Sequence, residues 1–240
     1  MPLNIGTAGW SVPRDIADQF PSEGSSLSRY ASRFPVAEVN SSFHRPHRRS
    51  TWERWRDSVP RAFRFSVKLP KLITHTHKLD GCSELVAEFV EQAGALGDKL
   101  AVLLVQLPPK LDFDKTVAAA FFGSLRSRTN VGLVCEPRHA SWFTGEVDVL
   151  LEHFQIARVA ADPAICEAAK QPGGWNGIRY WRLHGSPVIY RSSYRDRIDE
   201  FADRLMQEVS ADGQVWCIFD NTASSAGAAD ALALTQAIST

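Results

Sequence analysis

The chain is short of several things that would have narrowed its function at once. Its four cysteines, Cys82, Cys135, Cys166 and Cys217, stand far apart with no CxxC or finger-type spacing, which argues against a disulfide framework and a cysteine zinc module. Cys135 and Cys217 fall inside apolar strand patterns and read as buried, reduced thiols. No sign of charge is in excess: Lys plus Arg and Asp plus Glu number 27 each among 240 residues. No global field therefore draws the molecule to nucleic acid or to an anionic membrane, and any affinity for anions has to be local. No apolar run approaches the roughly 20 residues that span a bilayer, and the opening MPLNIGTAGW is not a basic segment followed by an apolar one. A reducing, cytoplasmic setting without a membrane partner is expected. No low-complexity linker or break in composition divides the chain, so a single domain over 1–240 is expected.

What is present is one design used repeatedly. Val131 to Cys135 is a short apolar run of the kind that forms a parallel strand buried on both faces, and it gives way at once to Glu136, Arg138, His139, Ser141 and Trp142. Similar runs are Leu3 to Gly9, Val36 to Asn40, Phe63 to Val67, Leu100 to Val105, Ile156 to Ala161, Arg179 to Leu183 and Gln214 to Phe219. Nearly all are followed by helical periodicity, clearest in Arg195 to Val209, where Ile198, Phe201, Ala202, Leu205 and Val209 share a face. Ser50 and Glu53 form a capping-box pattern ahead of Trp52 and Trp55, and Ala164 to Asn176 reads as loop. Eight strand and helix units in this length predict an α/β fold, a TIM (β/α)8-type barrel, with a doubly wound open sheet as the alternative.

With the strand ends identified, the chain resembles the DUF72 family, also called YecE-like. The resemblance rests on IGTAGW, VAEVNSSFHRP, FRFSVKLPKLITH, KLAVLLVQLPP, CEPRHASW, YWRLHGSP and IFDNTASSAG, which occur in the family's order over almost the whole chain. It implies a TIM barrel with a cleft at the C-terminal ends of the strands and names no reaction. The chain departs from the family pattern at Ser11, at His44 and at Asp220, where an aromatic residue, a tyrosine and an asparagine are usual.

In a barrel the strand ends converge, which brings Glu38, Asn40, Lys68, His75, Gln106, Glu136, Arg138, Asp162, Arg182, His184, Asp220 and Asn221 to one face. Glu136 and Arg138, and again Arg182 and His184, are spaced i, i+2 and point the same way on an extended strand. Glu136 and His184 are the expected proton carriers, with His75 a further candidate. Arg138, Arg182 and Lys68 are the expected anion contacts; Lys68, if burial depresses its pKa, is also a Schiff-base amine. Asn40, Gln106 and Asn221 offer hydrogen bonds, and Trp10, Phe43, Trp142, Tyr190 and Tyr194 offer aromatic faces. A competing reading gives several of these charges to mutual pairing, because buried ions require partners. Another places a divalent metal on Glu136, Asp162, His184 and Asp220, against which Arg138 and Arg182 would repel a cation. The cofactor is left open by the sequence. The leading expectation is an enzyme that moves protons on a small anionic, hydroxylated, sugar-phosphate-like ligand. The alternatives are a nucleic-acid or nucleotide phosphate binder, a metal-dependent hydrolase, or a ligand sensor without catalysis.

Overall fold

Strand runs too apolar to face water on either side need cover on both, and closing them into a ring inside a layer of helices provides it. The computed structural model describes residues 3–209 and 213–239. Parallel strands β1 (Leu3–Ala8), β2 (Val36–Val39), β3 (Arg64–Lys68), β4 (Leu100–Gln106) and β5 (Gly132–Glu136) pair in chain order. β6 (Ile156–Arg158) continues the parallel series on β5. One residue later the same run becomes β7 (Ala160–Asp162), which pairs instead with β9 (Ile178–Leu183). β9 pairs with β10 (Gln214–Phe219), and β10 returns to β1.

The jog falls at Val159, whose N–H donates to the Cys135 carbonyl at 2.8 Å. Counting β6 and β7 as one interrupted strand gives the eight staves expected of the barrel, and it joins the two ends of the sheet, which an open doubly wound sheet would leave apart. β8 (Gly173–Gly174) is an addition, a two-residue antiparallel bridge to β6 in a stretch the sequence suggested was loop.

The surrounding helices are α1 (Ser26–Tyr30), α2 (Ser41–His44), α3 (Arg49–Asp57), α4 (Ser83–Ala93), α5 (Lys115–Arg126), α6 (Gly145–His153), α7 (Ile198–Val209) and α8 (Ala226–Ser239). Asp114 accepts from the Thr116 and Val117 amides at the start of α5, and Thr144 from Val147 at the start of α6. The capping box expected at Ser50 is absent. α3 begins earlier, at Arg49, and Glu53 pairs with Arg49 one turn away at 2.8 Å rather than reaching back to an amide. Among the described residues no helix is long and apolar enough to cross a membrane.

Side-chain alternation fixes what fills the barrel. Successive inward residues on β9 are Ile178, Tyr180 and Arg182; on β10 they are Trp216 and Ile218, then Asp220 beyond the strand; on β5 they are Val134 and Glu136. Tyr180 stacks on Trp216 with ring centroids 5.9 Å apart, within a cluster that includes Val36, Val102, Leu104 and Val134. The interior is thus apolar in its lower half and ionic from the next residue upward. A larger apolar layer, with Phe65, Leu103, Phe122, Leu151 and Phe201, lies between strands and helices. Gly6 is required by the close approach of β2: an added Cβ would overlap the Val36 carbonyl. The group that approaches the backbone there is the next strand, not a ligand.

Candidate functional site

Three carboxylates from three strands meet one guanidinium at the top of the apolar interior. Arg182 donates to Glu38 at 2.6 and 3.1 Å, to Glu136 at 2.5 Å and to Asp220 at 2.9 Å, and its side chain is fully buried. Beneath it the Tyr180 hydroxyl lies 2.9 Å from Glu38 Oε2 and 2.8 Å from Ser66 Oγ. Above it, His184 bridges the other two acids, with Nε2 2.9 Å from Glu136 Oε1 and Nδ1 3.0 Å from Asp220 Oδ2. Arg138 closes the set from the cleft side, 3.0 Å from Glu136 Oε1 through Nη2 and 3.2 Å from the Tyr190 hydroxyl through Nη1.

The arrangement decides protonation. Burial alone would raise the Glu136 carboxyl, but Arg182, Arg138 and His184 together hold it well below its ordinary value. Burial likewise works against ionisation of Asp220, and Arg182 and His184 overcome it and lower its pKa. For His184 burial works against the charged form, while the charge on Glu136 and hydrogen bonds to Asp220 and Glu136 raise its pKa. Both ring nitrogens face carboxylates, so the imidazolium, which donates twice, is the matching form. Glu38, Glu136 and Asp220 are thereby balanced by Arg182, Arg138 and His184.

This corrects several expectations. Arg182 lies wholly inside, and the arginine that lines the cleft is Arg138. Glu136 has Oε1 and Oε2 both hydrogen-bonded and is 1% exposed, and His184 has both nitrogens engaged; both border a small cavity of about 80 Å³ and neither lines the larger cleft. The four-residue metal set does not assemble. Asp162 points away from the other three, accepting from Arg197 at 2.9 and 3.0 Å and from the Tyr194 hydroxyl at 2.8 Å. Among the described residues no group of three His, Cys, Asp or Glu side chains is placed to hold a metal ion.

Three of the expected aromatic faces are structural. Trp142 is buried, donating from Nε1 to the Leu111 carbonyl. Tyr194 is buried under the Gly185 amide and Asp162. Trp10 packs edge-on against Trp55 at 5.0 Å and Phe65 at 6.4 Å. Asn221 is also inside, donating to the Ser192 carbonyl and to Asp230. Asp230, which sequence reading passed over on the alanine-rich last helix, anchors Ser193, Tyr194 and Asn221 from below.

The remaining candidates do share a cavity. An opening of about 440 Å³ above the ionic cluster is lined by Asn40, Phe43, Lys68, His75, Gln106, Arg138, Tyr190 and Asp220, joined by His44, noted above as a departure from the family pattern, and by Lys71, which the sequence did not single out. Leu72–Thr76 forms a π-type turn, and this turn presents His75. The His75 ring meets the edge of Phe43 at 4.9 Å, with Nδ1 2.8 Å from Thr74 Oγ1. Its pKa is lowered by burial and by the positive charges of Lys68, Lys71 and Arg138. Lys68 Nζ sits 4.0 Å above the Phe43 ring centroid. Burial, and then repulsion from Arg182, outweigh attraction to Glu136, Glu38 and Asp220, and lower its ammonium pKa to about 8. Tyr190 adopts a left-handed backbone, φ 67°, unusual for a bulky residue, and this aims its ring at His184 with centroids 5.8 Å apart. Asn40 donates weakly to Asp220 at 3.4 Å, and its buried Oδ1 has no hydrogen-bond partner among the described residues. A second, more apolar cavity of about 480 Å³ lies behind the wall formed by Phe43, His44 and Lys71.

Comparison with known proteins agrees with this architecture. A DUF72 family protein from Thermotoga maritima superposes with a TM-score of 0.81 at 20% identity, covering 100% of both chains. One from Enterococcus faecalis gives 0.82 at 18%, covering 100% of this chain and 96% of that one. A D-psicose 3-epimerase has a similar fold at a TM-score of 0.55 and 10% identity, covering 99% and 97%. In sequence, UPF0759 protein YecE of Escherichia coli is 30% identical over 142 residues, 59% of this chain and 50% of that protein. UPF0759 protein YunF of Bacillus subtilis is 28% identical over 148 residues, 59% and 52%. The matched region is thus about half the length of these curated relatives. The model of the family described as "Protein of unknown function DUF72" matches residues 4–240, and the chain belongs to that family.

Proposed function

We propose that the cleft binds a small anionic, hydroxylated molecule, of the size and character of a sugar phosphate, and acts on it by proton transfer. The observation that carries this reading is the charge balance of the lining. Every carboxylate of the cluster is already balanced by Arg182, Arg138 or His184, which leaves Lys68 and Lys71 as the surplus cations facing an opening of about 440 Å³ that Arg138 also borders. A cavity with two surplus cations, whose one lining acid, Asp220, is paired with Arg182 and His184, favours an anion, and low-dielectric walls strengthen that preference. Arg138 offers a guanidinium fork already steadied by Glu136 and Tyr190. The Asn40 side-chain amide borders the opening and offers a hydrogen bond to a ligand hydroxyl.

Proton transfer then falls to residues other than the pair expected first. Glu136 and His184 are locked in their charged forms and serve to hold Arg138 and to keep the floor of the cleft rigid. Lys68 and His75 line the cleft and have pKa values displaced downward, Lys68 to about 8, where a proton is exchanged readily near neutral pH.

Thermal unfolding with inorganic phosphate, a hexose phosphate and the free hexose tests the reading. Stabilisation by both phosphates but not by the free sugar is expected, reaching roughly 3 kcal/mol at a hundredfold excess over Kd. Arg138→Gln should remove most of it. Absence of stabilisation by any phosphate would overturn the proposal. Salt-dependent retention of a single-stranded oligonucleotide in preference to the hexose phosphate would favour a nucleic-acid ligand instead.

A further inference from the structure

Lys68 is the cation of the cleft whose surroundings are hardest to explain by charge alone. Among the described residues no carboxylate oxygen lies within ion-pair distance of Nζ, although Glu38, Glu136 and Asp220 are all close enough to act on it electrostatically. Their oxygens are turned to Arg182, Arg138 and His184. What Nζ meets at short range is the face of Phe43. A lysine kept only to hold an anion needs its proton at all times, and a guanidinium would serve better. An amine used as a nucleophile needs to be without its proton for part of the time, which burial and the neighbouring Arg182 cation bring about.

Resting on the anionic-ligand reading above, we infer that Lys68 is a covalent catalytic residue whose Nζ adds to the carbonyl carbon of an aldehyde or ketone carried by the anion, forming an imine. The neutral amine forms the C–N bond while the carbonyl π electrons move to oxygen. A proton passes from nitrogen to that oxygen to give a carbinolamine. One further proton, taken from solvent, converts the hydroxyl to water, which leaves as the nitrogen lone pair closes the C=N bond. The products are a protonated imine and one water, with no oxidant or reductant involved. His75 shares the Phe43 ring with Lys68 and is placed to relay these protons. His75 Nδ1 lies 2.8 Å from the Thr74 hydroxyl, which leaves Nε2 as the ring nitrogen to exchange a proton. Arg138 and Lys71 hold the anionic end of the ligand, and the iminium withdraws electrons from the adjacent carbon, which is the activation a proton-transfer reaction on such a ligand requires.

The test is borohydride trapping with two carbonyl phosphates, pyridoxal phosphate and dihydroxyacetone phosphate, read by intact mass and peptide mapping. One reduced adduct per chain, on Lys68, is expected. An amine with a pKa of about 8 carries on the order of 100-fold more free base near neutrality than an ordinary lysine, so labelling at Lys68 should outrun exposed lysines at least tenfold. Lys68→Arg should abolish the adduct while retaining thermal stabilisation by inorganic phosphate, which separates covalent chemistry from charge. Stabilisation by both carbonyl phosphates with Lys68 unlabelled would overturn the covalent role and leave the anion site standing. Labelling spread over exposed lysines with no preference for Lys68 would also overturn it. Neither stabilisation nor adduct would sink both readings together.

Discussion

Replacing Lys68 with methionine should make the protein more stable, and by an amount that depends on pH. The ammonium is held at a pKa of about 8 against an ordinary lysine value of 10.5, so the folded state binds its proton less tightly than the unfolded chain does. A group lowered in this way opposes folding fully below pH 8, and the opposition fades as pH rises from there to the unfolded value. At neutral pH the shift is equivalent to about 3 kcal/mol at roughly 1.4 kcal/mol per pKa unit. Methionine forfeits the contact of the cation with Phe43, about 0.5–1 kcal/mol, but retains most of the apolar stem. The net gain is about 2 kcal/mol, or about 4–8 °C in Tm for a chain of this length. Urea denaturation of both proteins across the pH range measures it. The difference should stay level up to pH 8 and fall to about half by pH 9.5. A variant less stable than the parent at neutral pH, or a difference that ignores pH throughout, would refute the reasoning. Stabilisation on removing a cleft residue is the expected mark of a group retained for function.

Other perturbations separate the ionic cluster from the cleft. Arg182→Met leaves Glu38, Glu136 and Asp220 facing one another without their shared cation, and should cost on the order of 3–5 kcal/mol in urea denaturation. The lowered pKa values of Glu136 and Asp220 contribute stability that is present above their unfolded values and lost as acid drives pH through the folded ones. The raised pKa of His184 contributes stability that is full below its unfolded value of 6.5 and lost as pH climbs through the folded value, so the contribution of the cluster should fall on both sides, the alkaline fall being offset above pH 8 by the fading Lys68 penalty unless Lys68 is replaced by methionine. His184→Gln should flatten the alkaline side of that curve. Tyr194→Phe removes hydrogen bonds to Asp162 and from the Gly185 amide and should cost about 1–3 kcal/mol in thermal unfolding, while phosphate stabilisation is unchanged because the residue does not line the cleft.

The barrel was legible because strand periodicity is local. An apolar run buried on both faces looks the same wherever its neighbours lie, and i, i+2 spacing sends Glu136 after Val134 and Arg182 after Tyr180 into the same interior. The jog at Val159 was not legible, since a one-residue change of pairing partner leaves no mark on hydrophobicity. The start of α3 was misplaced because Ser50 and Glu53 satisfy a capping pattern that Arg49 overrides with an ion pair.

From its sequence alone, the chain determined that its charged residues would gather at one rim, and Glu136, Arg138, Arg182, His184 and Asp220 do stand within hydrogen-bond reach of one another. Which of them neutralise each other, and which remain for a ligand, was decided only by the closed barrel. Glu38 and Arg182 are 144 residues apart in the chain and at 2.6 Å in space, and that pairing consumes the arginine expected to bind substrate. Ion pairing depends on separation across the barrel interior, a quantity set by strand register and closure and written in no local stretch of sequence. The same geometry turned the oxygens of Glu38, Glu136 and Asp220 to Arg182, Arg138 and His184, and left Lys68 buried with its ammonium pKa lowered to about 8.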